Sequence, residues 1–439
     1  MGFGPGPGLA GPVALGRARR RIGLSHAKFT ETQHMSHPNA MSLTDARARW
    51  FAAQRLPQGT GSAVEAVEKA GYVRTLGGVD VYLALRARVR GLTRARVDEA
   101  LAGGDLRVVP SVRGCIYLVT RAEVPWCLRI ADLLSRSRRK REYDKAGIRP
   151  GELEALGDLI LEALSREPAS TIQLRGAMKD HIRSLGDEGK RVGISSTLPP
   201  ALRELEFQGR LERTLEEDRL DTEKYLWRAT PRSLLDGSVP QDPAAVHVHL
   251  ARVFFRGMGV GLVDRFATWA GLGKRDARTA AARLDGEPVV VEGLGAGYLA
   301  LADCPEPGPD GVSFLPFEDN LIQHQAGVAP LVDPSHHHIP VPVWGRGKAQ
   351  TLGTATHMAY RSIVRNGEVV GVWEYDPDGQ DVVWTTFAPL GGKTSDEVER
   401  EAQSVASFLR DDVGRAISFS IDTEDDLRRR VSAIRRMST

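Results

Sequence analysis

Cysteine is scarce. Cys115, Cys127 and Cys304 are the three in 439 residues. They are too scattered for a disulfide framework or a paired metal-ligand spacing, and they suit a reducing cytoplasm. No apolar run approaches the roughly 20 residues that span a bilayer, so no membrane attachment is expected. Net charge is small as well: at +3, attraction to a polyanion must come from local patches rather than the whole-molecule field. The glycine-rich stretches Gly2–Gly11 and Gly293–Gly297 lack the Gly-Lys-Ser/Thr ending of a phosphate loop, which argues against a nucleotide cofactor. There is no Gly-x-Ser-x-Gly elbow. His336, His337 and His338 are adjacent, so they cannot all face one tetrahedral ion, and neither metal nor cofactor is expected.

What the chain does have is length, ordinary apolar content and local basic runs. Its size allows two to four domains. Arg136–Arg141 reads Arg-Ser-Arg-Arg-Lys-Arg, and Arg428, Arg429 and Arg430 precede Arg435 and Arg436. Each run reads either as a polyanion contact or as a solvated helix face. Residues 1–40 are Gly/Pro-rich, then Arg-rich, without an apolar signal core, and are expected to be a disordered extension. The most informative stretch is Arg74-Thr75-Leu76-Gly77-Gly78-Val79-Asp80, where an apolar run halts at two glycines and an acid opens a new helix. Such a loop-to-helix junction presents polar groups to a ligand without breaking a core.

Helices are expected from Leu43 to Leu56 (Thr44 or Asp45 capping), over 63–70, 79–89 and 93–101, then two short strands, 106–109 and 115–119, and a helix over 121–135. Helices followed by a small hairpin are the recipe of a winged helix. The pattern recurs over 151–235, with strands 211–214 and 224–228 around the acidic turn Glu216-Glu217-Asp218. It recurs again over 240–304, with strands 289–292 and 298–302. After the Pro305–Pro309 linker the character turns to β. Asn366-Gly367 is the strongest hairpin signal, strand 382–387 follows, and helices are expected over 394–409, capped by Ser395, and 425–436. The expected fold class is α+β: an extension (1–40), three tandem winged-helix (helix-turn-helix) units (41–150, 151–235, 240–304), then a small β-barrel with trailing helices (310–439).

Several segments together resemble the winged-helix DNA glycosylases of the AlkZ/YcaQ-like family, which unhook crosslinks and bulky alkyl adducts. They are Leu83-Ala84-Leu85-Arg86-Ala87-Arg88, Arg113-Gly114-Cys115-Ile116-Tyr117-Leu118-Val119, Phe314-Leu315-Pro316-Phe317-Glu318-Asp319, Val332-Asp333-Pro334-Ser335-His336 and Asn366-Gly367-Glu368-Val369-Val370-Gly371-Val372-Trp373. The ordered set spans about Leu43 to Pro389. The resemblance implies double-stranded DNA, damaged or alkylated, as partner, a monomer, and a cytoplasmic, nucleoid-associated protein. The family's Gln-hydrophobic-Gln or Gln-hydrophobic-Asp signature falls on Arg74-Thr75-Leu76, which has no carboxamide. The family's His in Arg-Gly-Thr-hydrophobic-His is Tyr117 here. The chain reads as a divergent branch.

Glycosidic hydrolysis needs a poised water and an anion opposing an oxocarbenium-like sugar, which a carboxylate supplies. Asp80 is the nearest candidate, with Thr75 orienting the water, although an acid after Gly-Gly at a helix start is first of all a favoured cap, and an Asp can be both. Arg74, Arg86 and Arg113 are candidate DNA contacts, as are Arg138, Arg139 and Lys140. Tyr82 and Tyr117 are placed either to stack on an extruded base or in the core. Glu318 and Asp319 are candidate pocket acids or structural acids. A non-catalytic winged-helix regulator or lesion sensor is the alternative, and it accounts for the missing glutamines directly.

Overall fold

The computed structural model describes residues 39–217, 219–235, 237, 239–343 and 350–437, so nearly all of the expected 1–40 extension lies outside them. Strand β1 (Asn39–Met41) precedes the expected first helix. The Ser42 hydroxyl, rather than Thr44 or Asp45, caps α1 (Leu43–Ala53), accepting the Asp45 N–H at 3.0 Å. Ser62 caps α2 (Ala63–Ala70) in the same way. Such a cap contributes about 1 kcal/mol by satisfying an end donor. Next come β2 (Val73–Arg74), α3 (Asp80–Arg86) and α4 (Arg94–Ala102), the last capped by Thr93. β3 (Leu106–Pro110) and β4 (Ile116–Thr120) lead into the long α5 (Val124–Lys145). β4 lies between β2 and β3, antiparallel to both.

The second helix-and-sheet unit holds α6 (Glu152–Leu164), β5 (Ala169–Ser170) and α7 (Thr171–Ala177). Ser170 and Gln173 form a reciprocal capping box. α8 (Gly186–Arg191), α9 (Leu198–Phe207), β6 (Leu211–Leu215) and β7 (Tyr225–Ala229) complete it. Leu156, Ile160 and Leu164, spaced four apart on one face, bury against Leu198, Leu202, Leu205 and Trp227.

The third unit comprises α10 (Pro243–Met258), β8 (Val260–Leu262), α11 (Val263–Ala270), α12 (Lys274–Ala281), β9 (Gly286–Val291) and β10 (Gly295–Leu301). Its sheet runs β1-β9-β10-β8, and β1 is parallel to β9 with Ala40 opposite Val290. Residues 39–41 therefore pair with a strand some 250 residues later. Phe254, Phe255, Phe266 and Trp269 cluster beneath it.

The last part carries β11 (Val312–Leu315), α13 (Asn320–Gln323), β12 (Pro340–Val341) and β13 (Gln350–Thr351). β14 (Arg361–Arg365), β15 (Glu368–Asp376), β16 (Asp381–Thr386), α14 (Gly392–Ser407) and α15 (Glu424–Met437) follow. Asn366 and Gly367 both take positive φ, 50° and 83°, as a two-residue type I′ hairpin demands. α14 starts earlier than expected, after Gly391, without a Ser395 cap. Among the described residues the expected barrel is instead an open antiparallel sheet of order β11-β14-β15-β16. Four strands are too few to close around a packed interior, and α14 and α15 cover the sheet instead. The fold is a mixture of helices and several small sheets.

Candidate active site

The junction at Gly77-Gly78 decides where α3 goes. Gly77 sits at φ 72°, and a Cβ on Gly78 would stand 2.2 Å from the Ser418 carbonyl group. Only a residue without a side chain lets this turn lie flat on 417–418, where the Val79 N–H donates to Ile417 O at 2.9 Å. α3 is thereby set against the end of β11, whose continuation, Pro316 to Asn320, forms the opposite wall of a narrow cleft. Arg74, Asp80, Arg88, Glu318, Asp319 and Asn320 are its polar lining, and its volume is about 20 Å3. That is room for one water rather than a base.

Asp80 is fixed on both oxygens. Oδ2 accepts the Phe317 N–H at 3.0 Å, and Oδ1 accepts Arg361 Nε and Nη2 at 3.2 and 2.8 Å. Arg361 also donates to Glu374 (2.7 Å), and Arg430 joins Glu374 to Asp422. Three carboxylates thus share two guanidiniums in a buried cluster, leaving one surplus negative charge. Burial, opposed by Arg361 and assisted by Glu374, raises the Asp80 carboxyl to about 6. The direction for Arg361 is also upward despite its burial, because two acids face it.

Glu318 is different. It adopts φ 56°, an uncommon conformation for a residue with a side chain, and sits partly exposed at the cleft in an ion pair with Arg74. Arg74 Nη2 also lies 3.6 Å from Cys115 Sγ. Asp319 forms a bidentate pair with Arg88 at 2.8 and 2.9 Å and caps α13 through the Leu321 N–H. Arg88 and Asp319 are almost wholly buried, so this pair holds the wall and has no face toward solvent.

The structure brings Arg74, Asp80, Glu318 and Asp319 together and redistributes the other candidates. Thr75 is buried, its hydroxyl directed to Ile116 O at 3.4 Å, and it does not line the cleft. Arg86 is buried against Glu401 and Ser404, both at 2.7 Å, so its donors are spent internally. Arg139 is likewise locked to Asp132 and Glu204 and stacks on Phe207. Tyr82 and Tyr117 are core residues, with no ring face open to a base. Arg138 and Lys140 are exposed on α5, and Arg113 is exposed between β3 and β4. Sequence reasoning missed Arg361, Arg88 and Asn320. Arg88 lies four residues after Ala84, just past the end of α3, and both line the cleft; Arg361 had no local signal. Among the described residues no group of three His, Cys, Asp or Glu side chains is arranged to hold a metal.

A family model described as DNA glycosylase AlkZ-like matches residues 76–408, roughly three quarters of the chain. The chain belongs to that family. The AlkZ-like match begins at Leu76, so Arg74 and Thr75 lie just outside it. Among solved structures, the DNA glycosylase AlkZ of Streptomyces sahachiroi superposes with a TM-score of 0.64 at 18% identity, covering 84% of this chain and 96% of that one. At that identity the likeness is one of fold. No curated protein matches the sequence. No helix among the described residues is long and apolar enough to cross a membrane.

Proposed function

We propose that this AlkZ-like protein is a monofunctional DNA glycosylase that recognises alkylated or crosslinked purines in duplex DNA and hydrolyses their N-glycosidic bond at the cleft between α3 and residues 316–320. The unequal pair of carboxylates carries this reading: Asp80 is saturated by donors, while Glu318 is partly exposed over a space the size of one water. Glu318 is then the group that takes the proton as water oxygen bonds to the sugar C1′ and the C1′–N electron pair leaves with the base. Asp80, first expected as the acting acid, becomes the positioning residue that holds the Phe317–Glu318 turn. An N7- or N3-alkylated purine already carries positive charge, so its departure needs no acid, and the carboxylate opposes charge on the sugar. A DNA phosphate beside Arg74 competes for its guanidinium and frees Glu318. Because the cleft admits no base, the lesion lies against its mouth.

In this reading the three helix-and-sheet units (41–150, 151–235, 240–304) are winged helices that follow phosphates, 310–439 supplies the far wall, and the protein works as a monomer in the cytoplasm on the nucleoid. Phosphate contacts make binding salt-dependent. A non-catalytic lesion sensor is favoured by one observation, the neutralisation of Glu318 by Arg74 where the family carries a carboxamide. Incubation with duplex carrying N7- or N3-alkylpurines, then heat or alkali, separates the two. Abasic sites from wild type but not from Glu318→Gln support the enzyme. Binding without abasic sites on alkyl, bulky and crosslinked substrates supports the sensor.

A further inference from the structure

Arg74 and Arg88, which line the cleft, each face a carboxylate; two other arginines near it do not. Arg113 occupies a tight turn between β3 and β4 at φ 58° and ψ 17°, is exposed, and has no ion-pair partner among the described residues. The turn is closed by the Gly114 N–H to Ser111 O (3.0 Å) and the Cys115 N–H to Val112 O (3.1 Å), so the left-handed backbone is held firmly. It packs between α5 and α11. The Arg113 stem passes over Gly271, the left-handed cap of α11, with Cγ 3.5 Å from where a Cβ would stand. Its charge is felt by Arg265, in the first turn of α11. Arg265 is half-buried; it donates through Nη2 to Gln323 O, while its Nε is buried without a partner. Burial and then the Arg113 charge lower its pKa, and no acid offsets them. Arg138 adds a third cation: its Nη2 lies 3.9 Å from a Cβ placed on Gly114, and its own acid, Glu142, is 3.6 Å away, beyond good hydrogen-bond length.

We infer that Arg113 and Arg265 form a clamp for one DNA phosphodiester beside the cleft, with Arg138 at its rim. The Arg113 turn packs on the helix that carries Arg265, and neither arginine has an acid partner among the described residues, so an anion between them meets two uncompensated charges whose planar forks suit phosphate oxygens. A left-handed non-glycine residue at such a place is the kind of local cost that functional sites retain. The link to the cleft is short: Cys115, two residues on from Arg113, touches Arg74, and Tyr117 lies within electrostatic reach of both arginines. The clamp would therefore fix the backbone next to the lesion while Arg74 and Glu318 face the sugar. The inference rests on the DNA reading above.

Its test is the salt dependence of duplex binding by the full chain between 50 and 200 mM salt, for wild type, Arg113→Gln/Arg265→Gln, Arg113→Lys/Arg265→Lys and Arg428→Gln. The glutamine pair should weaken binding several-fold, independently of sequence and lesion, and reduce the slope of log affinity against log salt by about 1. The lysine pair should keep most of the slope. Arg428→Gln, whose charge is already met by Asp378, Glu424 and Asp425, should change nothing. An unchanged slope in the glutamine pair while wild type binds overturns the clamp, as does an equal loss in Arg428→Gln. If the pair does not fold, exposed Arg113→Gln alone carries the comparison. Competition by inorganic phosphate far beyond chloride at equal ionic strength would mark a free-anion site and overturn the phosphodiester assignment. No duplex binding by wild type overturns the DNA reading and the clamp with it.

Discussion

Replacing Arg361 by Met tests the electrostatics behind the cleft. Arg361 is almost completely buried, packs over the Trp373 ring, and supplies hydrogen bonds to Asp80, Glu374 and the Ala416 carbonyl. Methionine fills comparable space but removes one of two cations from a cluster with three carboxylates. Breaking a buried pair in this way costs about 3–5 kcal/mol, a large part of a typical folding free energy. The loss should also grow with pH. In the wild type, Asp80 titrates near 6 rather than 3.8. The folded state thus binds its proton more tightly, and this group's stabilisation is full below pH 3.8 and lost through pH 6, about 3 kcal/mol in all. Without Arg361 the carboxyls rise further, so unfolding by urea at pH 8 should show a larger deficit than at pH 5. Adding Asp80→Asn should recover part of it at pH 8. A deficit under about 1 kcal/mol, or one equal at both pH values, would refute the picture of a charge-surplus cluster.

Three further outcomes are expected. Glu318→Gln should leave the melting temperature nearly unchanged and lower abasic-site formation by about 10²–10⁴-fold, the usual worth of a general base; full activity would return the role to Asp80. Arg86→Gln and Arg139→Gln should lower stability in urea melts by about 1–3 kcal/mol each through unsatisfied partners, without changing the salt slope of DNA binding. Gly78→Ala should destabilise by about 3 kcal/mol, because its new methyl meets the Ser418 backbone, and should lower activity by shifting α3 from Phe317.

Local chemistry was readable. The Asn366-Gly367 turn, the strand pair 211–215 and 225–229, and the Leu156, Ile160, Leu164 stripe follow from rules acting over a few residues. Pairing across the chain was not. Nothing in Asn39–Met41 announces a partner at Val289–Val291, and Asp80 meets Arg361 across 281 residues. The barrel expectation failed because strand signals do not say whether edges close. The basic run at Arg136–Arg141 misled for another reason. Ala131, Ser135 and Arg139 continue the buried face of α5 at four-residue spacing, so the helix turns Arg139 inward to Glu204 while Arg138 and Lys140 stay out. Periodicity contained that distinction, but the charge composition obscured it.

The Asp80–Phe317 and Asp80–Arg361 contacts also bear on how the molecule can be divided. The two banks of the cleft do not belong to one contiguous stretch: one arrives near residue 80, the other after residue 312, and the brace behind them comes from Arg361 on β14 and Arg430 on α15. A fragment ending at the Pro305–Pro309 linker would keep three helix-rich units yet own half a site. Any reshuffling of this protein by recombination must therefore carry its beginning and its end as one inheritance.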